Sequence, residues 1–361
     1  MAPADQQQLS LLSRHVPDPE GSAAGRVLHA LATGLLGHGV DLDVTSWGPL
    51  ALERELPPWC SFLPQREQGR LRTKWRTIRD PRSDVTTIGW RSRSPVAVAD
   101  DLESWAAVRD SNSGRRVATV HYLPTVDAKA LEDWAPTHLQ WRRAERALSE
   151  TAQQVITYSA RVAQGLSSRN TLTVPIPLAI PDEPFTPIDE PIAGLMADWR
   201  WLANRRALGT LLESWKLVRT RVPGARLVIA GRGDPGVGTM KGVTMLTEFA
   251  STADFLSQIA VMAFPCPPTT GPKVKVLEAM AAGLPVVTTM AGVEGLGMDF
   301  PVAPSDVQGF ANALATALGD PQARAERARI ARVSVSSRHS PAIASREWLR
   351  VVTGKDIDVC E

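Results

Sequence analysis

The segment Thr269-Thr-Gly-Pro-Lys-Val-Lys-Val-Leu-Glu-Ala-Met-Ala-Ala-Gly-Leu-Pro-Val-Val-Thr-Thr289 concentrates residue types that bind anions. Pro272 suits the first turn of a helix that Gly283 and Pro285 end, so the loop Thr269 to Gly271 lies at the helix's positive end, where free backbone N–H groups attract phosphate. Lys273 and Lys275 put two ammonium groups in that first turn, the wrong end for the helix dipole unless an anion is expected there. Glu278 lies further along the same helix, and its carboxylate can accept two hydroxyls, such as those of a ribose diol. On spacing alone the simpler account of Lys273, Lys275 and Glu278 is a solvated helix face with ordinary pairs.

Other residues are candidates by position. His121 follows the apolar strand Val117-Ala-Thr-Val120, and the carboxyl end of a parallel strand is where open sheets bind ligands. A structural hydrogen-bonding role fits it equally well, and His15, in the first loop, is a lesser candidate. Asp18-Pro-Glu-Gly-Ser-Ala-Ala-Gly25 reads as the glycine turn of a βαβ crossover, which needs no ligand to explain it. Asp41-Leu-Asp43 and Asp356-Ile-Asp358 mimic a metal-binding Asp-x-Asp pair, but one belongs to a strand and the other to a tail, so no metal is implied. Gly231-Arg-Gly233 lacks the third glycine and acidic partner of an NAD site, and Ser159 lacks a Gly-x-Ser-x-Gly context.

The elements that must position these residues follow an α/β rhythm. A short apolar run (Leu9 to Ser13), a Pro/Gly loop (His15 to Gly25), a helical pattern through Val27, Leu28, Leu31, Leu35 and Leu36, and the strand Val40 to Ser46 form a βαβ unit. Strand-like Val155 to Tyr158 follows the amphipathic stretch Thr137 to Gln153. Pro175, Pro177, Pro181, Pro184, Pro187 and Pro191 forbid regular structure between Thr173 and Pro191, which marks an interdomain linker. The rhythm then restarts with a helix from about Asn204 to Val222 and strands at Arg226 to Ala230, Val243 to Leu246, Ala260 to Phe264 and Pro285 to Thr289.

The chain has 361 residues, which favours two domains over one. Forty Lys and Arg stand against 38 Asp and Glu, a net charge of +2 balanced in both halves, leaving no surplus to neutralise nucleic-acid phosphates. Cys60, Cys266 and Cys360 are too few and too scattered for a disulfide framework or a zinc site, which points to a reducing cytoplasm. No leader pattern opens the chain, and no apolar run reaches the ~20 residues of a membrane helix. Between Arg66 and Arg82 lie Arg70, Arg72, Lys74, Arg76 and Arg79 with Trp75, read as a solvated face or as a peripheral contact to anionic lipid or an acidic acceptor.

Lys273 to Thr289 with Gly292-Val-Glu-Gly-Leu296 strongly resembles the donor-site signature of family 4 retaining glycosyltransferases (glycosyl transferases group 1). The similarity extends through Pro223 to Gly233, Leu256 to Pro265 and, more weakly, Pro17 to Ser46. It implies the α/β GT-B fold: two facing Rossmann-like, doubly wound parallel-sheet domains with an interdomain cleft. Residues 1–178 would be the N-terminal, acceptor-side domain and 179–340 the C-terminal, donor-side domain. Residues 341–361 would be a helix and tail that cross back to the first domain or cap the second.

By resemblance, Glu278 is the ribose-binding glutamate. Thr270, Gly271, Pro272, Lys273, Val274 and Lys275 hold the diphosphate and donor sugar, with Gly21 and Ser22 approaching from the first domain. His121 and Lys273 are the catalytic candidates, His121 bonding the donor sugar and Lys273 or Lys275 neutralising the leaving diphosphate. Two departures stand out. Position 270 is Thr where the family commonly has a second glutamate, and Gly194 to Asn204 lacks the usual Arg and Lys pair, with Arg200, Arg205 and Arg206 as weak substitutes. The implied activity is metal-independent transfer of a hexose-like sugar from a nucleotide-diphosphate sugar, a co-substrate rather than a cofactor, to a small-molecule, glycan or lipid-linked acceptor hydroxyl. A catalytically silent GT-B subunit or regulator and a nucleotide-sugar epimerase are the alternatives.

Overall fold

The computed structural model describes residues 7–48, 55–64, 90–133, 138–166, 168–185, 188–246, 251–297 and 300–354. The basic stretch Arg66 to Arg82, Asp356 and Asp358, and Cys360 lie outside them. The chain divides into two units, Met1–Leu178 with Pro341–Glu361, and Ala179–Ser340.

In the first unit the parallel strands β1 (Gln8–Ser13), β2 (Asp41–Gly48), β3 (Cys60–Pro64), β4 (Val96–Ala99), β5 (Arg115–Val120), β6 (Gln154–Thr157) and β7 (Thr171–Thr173) lie in the order β3-β2-β1-β4-β5-β6-β7. Covered on both faces, the inner strands need continuous burial rather than alternation. Accordingly Leu9, Leu11 and Leu12 of β1 and Val117, Ala118 and Val120 of β5 are all buried. Helix α1 (Ala23–Gly37) starts at Ser22, whose hydroxyl accepts the Gly25 N–H, and buries Val27, Leu28, Leu31 and Leu35 along one face. Helices α2 (Trp105–Arg109), α3 (Pro124–Ala130), α4 (His138–Thr151) and α5 (Ala160–Gly165) complete the crossovers.

The second unit has the parallel order β10-β9-β8-β11-β12, from β8 (Ile192–Asp198), β9 (Arg226–Arg232), β10 (Val243–Leu246), β11 (Val261–Phe264) and β12 (Val286–Thr288). Its helices are α6 (Leu202–Arg221), α7 (Thr252–Ser257), α8 (Val274–Ala281), α9 (Val307–Gly319) and α10 (Pro321–His339). Where the sequence pattern opens this half on a helix, the structure places β8 first and centrally. Pro191 before it and Gly194 within it mask its strand character, which burial between β9 and β11 supplies.

The last helix, α11 (Pro341–Thr353), belongs to the first unit and packs against α1. Gly34 permits that approach, since a Cβ there would lie 2.3 Å from the Pro341 carbonyl oxygen and 2.3 Å from Ser345 Oγ. Gly34→Ala is therefore expected to destabilise the first unit by ~1–3 kcal/mol, seen as a fall of several degrees in its thermal midpoint. An unchanged midpoint would show that α11 shifts away at little cost.

Candidate functional site

Open parallel sheets bind ligands outside the carboxyl ends of the strands where the strand order reverses. In the second unit that point lies between β8 and β11. The chain leaving β11 passes through Pro265 and Cys266, and the Thr289 hydroxyl donates to the Cys266 carbonyl at 2.6 Å, tying this exit to the end of β12. It then turns through Thr269 and Thr270, both buried, into Gly271 at φ +79°, a conformation glycine adopts without strain. The Gly271 N–H donates to Glu294 Oε1 at 2.9 Å, so the Gly292 to Leu296 segment braces the loop.

Helix α8 starts after this turn with Lys273 at its cap and no side-chain cap bond. Among the described residues, the N–H groups of Val274 and Lys275 find no acceptor. They stand at the positive end of an eight-residue helix, as an anion site requires. Glu278 follows on the same helix, half-buried.

The two lysines have different surroundings. Lys273 Nζ curls back to the carbonyl oxygens of Thr269, Thr270 and Gly271, at 3.0 Å from Thr270, and so holds the loop's shape. Lys275 Nζ crosses to the end of β8, donating to Asn204 Oδ1 at 2.9 Å and lying 4.5 Å over the Phe264 ring. Asn204 is itself fixed, its amide donating to the Asp198 carbonyl at 2.8 Å. Burial pushes the Lys275 ammonium down to about 8, outweighing the pull of nearby groups that include the Glu278 and Asp198 carboxylates. A cation held by a neutral amide at the strand-order reversal is short of negative charge.

Arg200 forms an ion pair with Asp198, which holds that carboxyl below its usual range. Arg205 and Arg206 are exposed on α6. Arg200 is thus engaged with the last residue of β8, and of the two loop lysines it is Lys275 that reaches this strand end.

In the first unit the order reverses between β1 and β4. Four strand ends bring Arg14 and His15, Asp100 and Asp101, His121, and Tyr158 to one edge. His121 Nε2 lies 2.7 Å from the Asp100 carbonyl and 3.3 Å from Asp100 Oδ1. Its ring meets Tyr158 edge-on at 5.3 Å. Asp101 accepts the backbone N–H groups of Arg14 and Ser104, both at 2.6 Å, and Arg14 pairs with Glu103 at 3.1 Å. Burial lowers the His15 imidazole, with Asp101 pulling the other way.

Gly21 and Ser22 serve the turn into α1: Gly21 N–H donates to the Asp18 carbonyl at 3.2 Å, and Ser22 caps the helix. Of the residues singled out in the sequence, the structure thus brings together Thr270 to Lys275 and Glu278 in one unit, and His15 and His121 in the other. Sequence reasoning passed over Asn204, Phe264, Asp100 and Asp101. Only their places at strand ends distinguish them, and β4 and β8 had not been recognised as strands. Glu294 stood within the Gly292 to Leu296 motif without a role. Among the described residues no three His, Cys, Asp or Glu side chains group to hold a metal ion, and no helix is long and apolar enough to cross a membrane.

Residues 191–320 match the family model for glycosyl transferases group 1. No curated protein sequence matches the chain. Among solved structures, TarM covers 98% of the chain and 100% of its own length at 10% identity with a TM-score of 0.73. Sucrose-phosphate synthase from Thermosynechococcus elongatus covers 96% and 97% at 18% identity, TM-score 0.69. Anabaena HepE in complex with UDP and glucose covers 96% and 99% at 16% identity, TM-score 0.66. At these identities the likeness is one of fold, and that fold is GT-B.

Proposed function

We propose that this protein is a family 4, retaining glycosyltransferase, a reading supported by the match of residues 191–320 to the glycosyl transferases group 1 model and by the GT-B fold. It moves a sugar from a nucleotide-diphosphate sugar to an acceptor hydroxyl, without a metal, in the cytoplasm. The observation that carries the reading is the pairing of two unsatisfied helix N–H groups, on Val274 and Lys275, with the Lys275 ammonium held by Asn204. That combination suits a diphosphate.

In the proposed reaction the bond from the sugar's anomeric carbon to the β-phosphate oxygen breaks, leaving that electron pair on the diphosphate. The acceptor oxygen bonds to the same face of the anomeric carbon, and its proton passes to the departing phosphate oxygen. Charge grows on the diphosphate as the bond breaks, so preorganised donors aimed at it lower the barrier. Lys275 and the first-turn N–H groups supply them, Lys273 keeps the loop in shape, and Glu278 accepts the ribose hydroxyls. HepE, solved with UDP and glucose, makes UDP the first nucleotide to try.

Calorimetry of UDP, GDP, ADP and dTDP with the wild type and Glu278→Ala tests the donor site. One nucleotide is expected to bind preferentially, and the variant to lose ~1–3 kcal/mol of that affinity through unpaired ribose hydroxyls. Equal affinity in the variant would remove Glu278 from the site. A folded wild type that binds none of the four would favour the silent-subunit reading, to which a buried Thr270 in place of a carboxylate also points.

A further inference from the structure

A buried hydrogen-bond chain in the first unit has no part in the reading above. Ser13, at the end of β1, and Asp100, just past β4, are 0% and 1% exposed. The Ser13 hydroxyl donates to Asp100 Oδ2 at 3.0 Å, while His121 Nε2 faces both the carbonyl oxygen and Oδ1 of the same aspartate, at 2.7 and 3.3 Å. Both oxygens are acceptors when Asp100 is ionised, so Nε2 carries the hydrogen and Nδ1 is the nitrogen left for another partner.

We propose that Asp100 is the positioning residue of His121: its two oxygens fix the Nε2–H tautomer and leave Nδ1 to bond a sugar hydroxyl. The substrate in this statement rests on the glycosyltransferase reading; the tautomer does not. A hydroxyl can both donate and accept, so Nδ1 serves in either protonation state, and what matters is that the ring cannot flip or swing. The charged and titratable groups facing the imidazole are Asp100 and Asp101 beyond β4, His15 beyond β1 and Tyr158 beyond β6. Burial alone would lower the imidazole, yet the Asp100 carboxylate and its hydrogen bonds hold it above the usual value.

Nitrogen-detected NMR of the six histidines in the full chain, with His121 assigned by its absence in His121→Gln, tests this. The wild type is expected to show His121 as the Nε2–H tautomer, titrating above an ordinary histidine. In Asp100→Asn the backbone carbonyl remains but the charge is gone, so the titration moves to lower pH. UDP-glucose hydrolysis falls roughly 10- to 100-fold with UDP affinity unchanged. Ser13→Ala, which retains the carboxylate, keeps the tautomer and the high titration. An Nδ1–H tautomer in the wild type overturns the proposal whether or not Asp100→Asn folds, as does an unmoved titration in a folded Asp100→Asn. Absence of any nucleotide binding would instead defeat the glycosyltransferase reading and leave the tautomer result standing.

Discussion

Lys275→Met is expected to bind the preferred nucleoside diphosphate roughly 30- to 150-fold more weakly than the wild type, a loss of ~2–3 kcal/mol. Methionine keeps an apolar chain of similar length, so what is removed is the ammonium, with its bond to Asn204 and its place over the Phe264 ring. A half-buried charge is less screened by solvent than one in open water and so interacts more strongly with a phosphate. Lys273→Met should cost less, since its ammonium is engaged with the carbonyls of Thr269 to Gly271 and its loss acts through the loop's shape. Isothermal titration of both variants settles the order. If Lys275→Met binds as tightly as the wild type, the diphosphate does not sit at the β8 and β11 strand ends.

The same lysine sets a pH dependence with a definite sign. With its folded-state value near 8, Lys275 in the free protein loses its proton as pH rises through that point, and diphosphate affinity should fall from there upward. The binding loss would not report unfolding at this residue. An unfolded lysine titrates near 10.4, so between about 8 and 10.4 the unfolded chain holds more protons. The stability contribution of Lys275 therefore rises with pH across the window in which binding weakens. Lys275→Met should lack that decline in affinity.

How much of this the chain disclosed in advance depends on how local each signal is. The turn and helix from Thr269 to Glu278 were readable because Pro272, Gly283 and Pro285 punctuate a single contiguous segment, although the helix starts at Val274, so that Pro272 precedes it and Lys273 is its cap rather than part of its first turn. The division of labour between Lys273 and Lys275 was not. Two residues apart on a helix start, they point to different neighbours, and one of these, Asn204, lies 71 residues away. β4 escaped notice because Val96-Ala-Val-Ala99 is short and half alanine, a poor strand former that becomes central only through its neighbours β1 and β5. With β4 unseen, Asp100 had no reason to be placed beside His121. The α/β class was legible because it rests on repeated alternation of strand-like and helix-like patterns rather than on any one element.

His121→Gln is expected to keep nucleotide affinity and fold yet lower turnover of a sugar donor carrying the preferred nucleotide on the order of 100-fold. The glutamine amide N–H₂ can replace the Nε2–H donation to Asp100 and so spare that buried carboxylate the loss of a partner. It offers nothing at the place of Nδ1. His121→Ala should lose turnover as well, but with added destabilisation, because it leaves both a cavity and an Asp100 carboxylate short of one donor. The comparison separates two roles that a single alanine variant would merge. Were His121 only a strut between strand ends, the glutamine variant would work at the wild-type rate and the alanine variant would fail through instability alone. If both are stable but slow, with nucleotide affinity intact, Nδ1 acts after binding.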